Sequence, residues 1–353
     1  MQSPAETKVS VIIPSFNHEW FVEEAVRSVL CQTYGNLEMI VVDDGSTDDS
    51  VRILRTMEDP RLRVVQQRNQ GAHTAINNGL DMANGEILCI LNSDDRFHPE
   101  RIERALKTLE ERPDTQLVCS WIDIVDDSGK RLDTKKGWSN FEPWPLPKPE
   151  ERIGTTGSFY SELMISNFVA STSNIVMTRD LWKAIGPMRP LRFVHDWDFL
   201  LRAARRSQCL LIEEPLLQYR IHPSNTIRSN RSEMIFEVLW LWASHLAELE
   251  DDLLRLKEER NGQVTYDVFS LYHSLNCQGH DRIFWALRSY MDTLKRNGVV
   301  EPELAILHDN MTKSKIISLI EENDSLIVPE EGLRCIWKKL VGIASFLGIR
   351  GKA

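Results

Sequence analysis

Long hydrophobic runs are missing from this sequence. No stretch approaches the ~20 consecutive apolar residues that a membrane span requires, and Met1 to Lys8 is polar, without the apolar stretch of a signal peptide. Cysteine is sparse: Cys31, Cys89, Cys119, Cys209, Cys277 and Cys335 are scattered and form no CxxC pair. That argues against a disulfide scaffold or a zinc site and fits a reducing compartment. Positive charge is in deficit, with a formal net charge of −10, so the chain as a whole is not a phosphate-tracking nucleic-acid binder. No GxGxxG follows the first apolar run, against a dehydrogenase. No Gly-rich basic loop stands near that run, against a nucleotidyltransferase, and no internal repeat is visible.

What is present is an ordinary globular composition, 42% hydrophobic and 27% charged over 353 residues, enough for one large core or two moderate ones. The first third alternates short apolar runs with amphipathic stretches, the pattern of an α/β fold with a parallel sheet and crossover helices. Strands are expected at Val9–Ile13, Leu37–Val42, Leu62–Val65, Ile87–Leu91 and Leu117–Val125. Helices between them carry apolar residues on one face, as in Phe21, Ala25, Val29 and Leu30. The stretch Gly137 to Ser158, rich in Trp and Pro, reads as a long loop, either a lid over a site or an ordered surface loop. A strand at Ser171–Met177, helices at Arg179–Ile185 and Asp196–Arg206, and a last strand at Leu210–Tyr219 follow. Near Ile227 the texture changes. Ile235, Leu239, Trp242, Leu246, Leu249, Leu253 and Leu256 form a heptad-like stripe, and the rest reads as helices. The expected domains are therefore 1–226 and 227–353.

Ligands of doubly wound sheets bind at the carboxyl ends of strands. Three such ends here carry polar clusters: Pro14-Ser15-Phe16-Asn17, Asp43-Asp44-Gly45-Ser46 and Asn92-Ser93-Asp94-Asp95. The adjacent carboxylates Asp94 and Asp95 repel one another unless a hard divalent cation joins them to a diphosphate, or unless one caps the helix that follows Pro99. Asp43 either accepts a hydrogen bond from a base or ribose hydroxyl or closes an Asx turn. Ser15 and Phe16 line a base pocket, or Phe16 belongs to the core.

These segments, Val11-Ile-Ile-Pro-Ser-Phe-Asn17, Ile40-Val-Val-Asp-Asp-Gly-Ser-Thr-Asp48, Arg68-Asn-Gln-Gly71 and Leu91-Asn-Ser-Asp-Asp95, resemble in order and spacing the family 2 glycosyltransferases of the GT-A fold. The resemblance covers roughly Lys8 to Asn225. It implies a mixed, mainly parallel sheet flanked by helices and followed by a helical C-terminal domain. Pro14, Ser15, Phe16 and Asn17 would surround the nucleotide, and Asp43 would accept from the base, most often uracil. Arg68, Asn69 and Gly71 would border the nucleotide. Asn92-Ser93-Asp94 stands at the family's Asp-x-Asp element, with Asn in place of its first acid. Asp94 and Asp95 then carry the metal, Mn2+ or Mg2+, between them, with His222 of Tyr219-Arg-Ile-His222 as a third ligand. His195-Asp196 resembles the family's Glu-Asp element, with His in place of Glu, which makes Asp196 the general base and Asp198 the second choice. As a local feature Asp196 also reads as a helix N-cap.

The implied reaction is an inverting transfer from a nucleoside-diphosphate sugar, a UDP-sugar foremost, to a hydroxyl of a glycan, lipid-linked or other acceptor, as in polysaccharide biosynthesis. The altered positions Asn92 and His195 leave one rival open, a nucleotide-sugar-binding assembly module of the same fold that transfers nothing. The expected location is cytoplasmic, or peripheral at the inner membrane face. The helical stripe packs on the catalytic domain or pairs a homodimer. The apolar segment Leu340–Leu347, flanked by Lys338, Lys339, Arg350 and Lys352, is either a core helix or a contact with an anionic membrane.

Overall fold

A computed structural model describes residues 7–137, 159–223, 225, 230–259, 277 and 279–327. The expected domain boundary at 226/227, the loop after Gly137 and the segment Leu340–Leu347 lie outside the described residues. The chain divides into two compact units, Met1–Ser229 with His245–Leu275, and Asn230–Ser244 with Asn276–Ala353.

The first unit is built on one mixed sheet. Strands β1 (Val9–Ser15), β2 (Leu37–Asp43), β3 (Leu62–Gln66) and β4 (Ile87–Ile90) pair in parallel in the order β3-β2-β1-β4. Every residue of β1 and β4 is buried, which is why these strands read as unbroken apolar runs rather than alternating ones. Helices α1 (Val22–Leu30), α2 (Ser50–Arg55), α3 (Ala72–Met82) and α4 (Arg101–Glu111) make the crossovers. In α1 the buried Val22, Ala25, Val26 and Val29 recur at helical spacing, and Glu23 and Glu24 sit in the first turn, where the helix dipole favours anions. α3 crosses β1 so closely that a Cβ on Gly79 would stand 2.4 Å from Ile12 Cγ2. Only glycine lets the helix bed down there.

Beyond β4 the sheet changes character. β6 (Thr115–Val125), β8 (Val176–Thr178), β9 (Gln208–Arg220) and the two-residue β5 (Arg96–Phe97) extend it in the order β4-β8-β6-β9-β5, and β7 (Arg131–Lys135) pairs with β6. β8 runs antiparallel to β4 and β6, while β9 is parallel to β6. α5 (Phe159–Ile165), α6 (Arg179–Ile185) and α7 (His195–Arg206) complete the unit. The strand expected over Ser171–Met177 is mostly a 3₁₀ turn, Thr172–Asn174. The Ser171 side chain caps it by accepting from Ser173 N, and pairing begins only at Val176. β5, β7 and α5 were not foreseen.

Helix α8 (Arg231–Glu259) is shared: it contributes to the second unit up to Ser244 and to the first from His245. Ile235, Leu239, Trp242 and Leu246 of its stripe are buried. The second unit adds α9 (Asp281–Arg296), α10 (Pro302–His308) and α11 (Asn310–Ile327). Trp240 Nε1 donates to Glu303 O at 2.9 Å, and Lys313 pairs with Glu233 at 3.0 Å. Among the described residues no helix is long and apolar enough to cross a membrane.

Candidate active site

The parallel register aligns the strand ends. Ser15 of β1 lies opposite Asp43 of β2, and Asp43 opposite Gln66 of β3. Leu91 N bonds Ile12 O, so Asn92 leaves the sheet beside the end of β1. The three polar clusters singled out in the sequence, and the Arg68–Gly71 segment after β3, therefore share one rim.

The rim is tied together by side chains. Asn17, in the left-handed region at φ 53°, accepts from Thr47 N at 2.8 Å, and its own N–H donates to Ser46 Oγ at 2.9 Å. Asp43 is fully buried. Its Oδ1 accepts from Gly45 N and Ser46 N at 3.2 and 3.0 Å, and its Oδ2 from Ser46 Oγ at 2.5 Å, which is the Asx-turn geometry. Gly45, at φ 81°, lets this turn approach the next loop, since a Cβ there would meet Asn69 N at 3.0 Å. Asp44 fixes that loop by accepting from Gln67 Nε2, Gln70 N and Gly71 N at 2.7, 2.8 and 2.8 Å. Arg68 and Asn69 stand exposed on it, and Phe16 is 41% exposed at the end of β1.

Asn92 has a structural reason to be an amide. Its Nδ2 donates to Ser171 Oγ at 3.3 Å while its Oδ1 accepts from Thr172 Oγ1 at 2.8 Å, a donor-and-acceptor pair that a carboxylate cannot supply. Ser173 continues the buttress. Its hydroxyl accepts from Asn92 N at 2.9 Å and donates to Asp95 Oδ2 at 2.5 Å.

Asp94 and Asp95 part company. Asp95 is buried with its oxygens on Ser173 Oγ and Arg220 N, the latter at 3.0 Å. Burial, and then the charge of Asp94, push its carboxyl well above the usual range. Asp94 faces two imidazoles instead. Its Oδ2 lies 3.0 Å from His222 Nε2, and one ligand atom each from His18, Asp94 and His222 fall within 4.8 Å of one another. Burial alone would raise the Asp94 carboxyl. The hydrogen bond from His222 and the charges of His18 and His222 outweigh it and hold Asp94 below the ordinary value. The expected sharing of an ion between Asp94 and Asp95 thus finds Asp95 turned into the protein, and His18 in the cluster in its place. Neither carboxylate caps α4, whose N-cap is Glu100.

Arg220 locks this arrangement. Its Nε donates to Asp94 O at 2.9 Å, its Nη1 to Asp127 O at 2.7 Å and its Nη2 to Glu24 at 2.6 Å, and the guanidinium lies 4.8 Å over the Phe21 ring. Sequence reasoning passed over Arg220 and His18. The available signal for His18 was its position, directly after Asn17 on the same strand end.

Asp196 sits at the second position of α7, whose N-cap is Val194, so it does not cap the helix. It is 7% exposed. Oδ2 accepts from Asn167 Nδ2 at 3.1 Å and Oδ1 from Trp197 N at 2.7 Å. Burial raises its pKa, against the opposing pull of the His195 charge and of those two donors. Asn167 also accepts from Ala170 N, next to the Ser171–Ser173 buttress, so a short bonded path joins Asp196 to Asn92. His73, in the first turn of α3, is depressed by burial and then by the charge of His195, which links α7 to the Gly71 loop. Asp198 is wholly enclosed by Arg189, Arg202 and His245 at 3.0, 2.9 and 3.1 Å, a structural charge hub rather than a free base.

The profile of glycosyl transferase family 2 matches residues 10–184. EpsH of Bacillus subtilis (strain 168), to which glycosyltransferase function is ascribed, is 28% identical over 308 residues, 85% of this chain and 84% of EpsH. Glycosyltransferase GlyG of Streptococcus pneumoniae is 36% identical over 124 residues, 34% of this chain and 41% of GlyG. Among solved structures, S. aureus TarS 1–349 in complex with UDP-GlcNAc superimposes with a TM-score of 0.56 at 19% identity, covering 90% of this chain and 92% of that one. Mannosyltransferase PcManGT from Pyrobaculum calidifontis, in complex with GDP-Man and Mn2+, gives 0.51 at 16% identity over 90% and 87%. At such identities the structural likeness carries the fold, the curled GT-A sheet with its helical C-terminal region. By its sequence motifs and its profile match, the chain carries a glycosyl transferase family 2 domain over residues 10–184, and it is a glycosyltransferase.

Proposed function

We propose that this enzyme moves a sugar from a nucleoside diphosphate, UDP foremost, to an acceptor hydroxyl with inversion at the anomeric carbon. The observation that carries this reading is the cluster of Asp94 with His18 and His222 at the strand-end rim, to which the buried Asp196 is joined through Asn167 and the Ser171–Ser173 segment. The chemistry of the donor set fits a divalent cation, since one carboxylate oxygen and two imidazoles lie close enough to converge. Asp94 and His222 would hold it, and it would supply Lewis-acid stabilisation of the departing diphosphate.

The residues divide the work. Phe16 offers an exposed ring face for the base, with Pro14, Ser15 and Asn17 shaping its surroundings. Asp43 holds the turn that presents Gly45 and Ser46, and an oxygen released by Ser46 would serve the base. Arg68, Asn69 and Gly71 border the nucleotide, where the exposed Arg68 would reach its base or its phosphates. Asn92 and Ser93 shape the loop that presents Asp94. Asp196 takes the proton of the attacking hydroxyl. Its burial makes it a stronger base than a solvated aspartate. The Asn at position 92, which favoured a module without transfer, is accounted for by its bonds to Ser171 and Thr172, so it is not a mark of decay.

The acceptor is a hydroxyl of a glycan or lipid-linked chain. The test is a screen of nucleotide sugars by saturation-transfer NMR, with and without Mn2+ or Mg2+, followed by donor hydrolysis. A UDP-sugar should give the strongest cation-dependent signal and slow release of UDP. No signal from any nucleotide sugar under either cation would overturn the reading.

A further inference from the structure

We infer that His18 is a direct ligand of the ion, making a two-histidine, one-carboxylate centre that takes a first-row transition ion in preference to Mg2+ and binds it before the donor arrives. This rests on the cation reading above and goes beyond it in naming the third ligand and the class of ion.

The argument begins with the donor count. Mg2+ is held by one or two carboxylates with several retained waters, and oxygen suits it best. Here the second carboxylate is unavailable, because Asp95 is buried with its oxygens on Ser173 and Arg220. The cluster instead offers two nitrogens and a single oxygen, and imidazole favours the transition series over Mg2+. Distances allow the convergence. Two ligands each ~2.1 Å from an ion stand no more than roughly 4.2 Å apart. Three ligands around a tetrahedral ion stand roughly 3.4 Å apart, so the 4.8 Å within which the three atoms lie is closed by at most roughly 1.4 Å, shared among the three side chains.

His18 is also held in place as ligating histidines are. Its Nδ1 lies 2.7 Å from Ser93 Oγ, and its backbone N–H donates to Ser50 Oγ at 3.0 Å. Its ring meets that of His222 edge-on with centroids 5.7 Å apart, and Phe21 packs beside both. The three ligands come from three separate strand ends, each fixed by protein contacts. The centre is thus assembled without help from a diphosphate.

The test uses the full chain, stripped of metal, without nucleotide. Mn2+ titrated against it and followed by electron paramagnetic resonance should bind at one equivalent. Pulsed spectra should carry nitrogen couplings from two imidazoles, and Mg2+ should displace the ion only in large excess. His18→Ala should lose one nitrogen coupling and about tenfold or more in Mn2+ affinity. His18→Gln should also lose the coupling while keeping a side chain that can bond Ser93. A wild-type spectrum with a single imidazole overturns the inference whether or not the variants fold, and so do folded variants that bind Mn2+ as the wild type does. If Mn2+ binds only with UDP, or through one imidazole, the glycosyltransferase mechanism stands and this proposal falls. If neither Mn2+ nor Mg2+ binds even with UDP, the cation reading itself falls.

Discussion

Asp94 is half-buried just after β4 and Asp196 is buried at the start of α7, and their surroundings push their carboxyls in opposite directions. Asp94, on the parallel half, is ringed by His18 and His222 and held below the ordinary carboxylate range. Asp196, at the start of α7 on the antiparallel half, accepts from an amide and a backbone N–H and has the charge of His195 beside it, yet burial wins. Separated pKa values of this kind allot roles. One carboxylate is built to stay charged and the other to take a proton.

The sharpest way to break that contrast is to remove each charge in turn. Asp94→Asn should abolish cation-dependent donor binding altogether, read by calorimetry with UDP-sugar and Mn2+. Donor affinity unchanged by this variant or by chelator would end Asp94's assigned part. Asp196→Asn should leave donor affinity nearly intact and cut transfer by ~10²–10⁴-fold, the usual worth of a general base. Turnover at the wild-type rate would refute that role.

A structural variant probes the support of α7. Asp198→Asn leaves Arg189 and Arg202 uncompensated in a buried site and should cost about 3–5 kcal/mol in urea unfolding. Opposed by burial, the charges of Arg202, His245 and Arg189 hold this carboxyl below its ordinary value. Its contribution is therefore present above about pH 4 and lost as pH falls through the depressed value. The deficit should persist from pH 8 to about 4 and shrink only below that. Ser173→Ala, which strips a donor from buried Asp95, should cost about 1–3 kcal/mol and is checked in the same assay.

The smallest effect concerns pH. Transfer should fall as pH drops through the raised Asp196 pKa, so the acid limb should lie above the ordinary aspartate value. Because the charge of His195 opposes that rise, His195→Gln should move the limb further up. A limb that moves down, or not at all, would separate His195 from the base.

The parallel half was legible because strands buried on both faces leave apolar runs, and the polar residues that end them cannot continue inward. Val9–Ser15 and Ile87–Ile90 stand within two residues of where the runs end. The antiparallel half was harder. β7 reads Arg-Leu-Asp-Thr-Lys, with one apolar residue, and β5 is two residues long, so neither has a period to detect. At Ser171–Asn174 a strand-like composition was overridden by side-chain bonds to the neighbouring rim. The rim's acids were visible as residue types. Their partners were not: His222 meets Asp94 across 128 positions, and nothing local in the sequence distinguishes Asp94, which faces the cluster, from Asp95, which faces the interior.

Arg220 closes the list of contacts that hold the rim, gripping Glu24, the Asp94 carbonyl and the Asp95 carboxylate from the far end of β9. A chain emerging from the ribosome N-terminus first presents every strand of the parallel half long before this clasp. The rim is therefore completed only once β9 has been made, after all the strands whose ends it ties together.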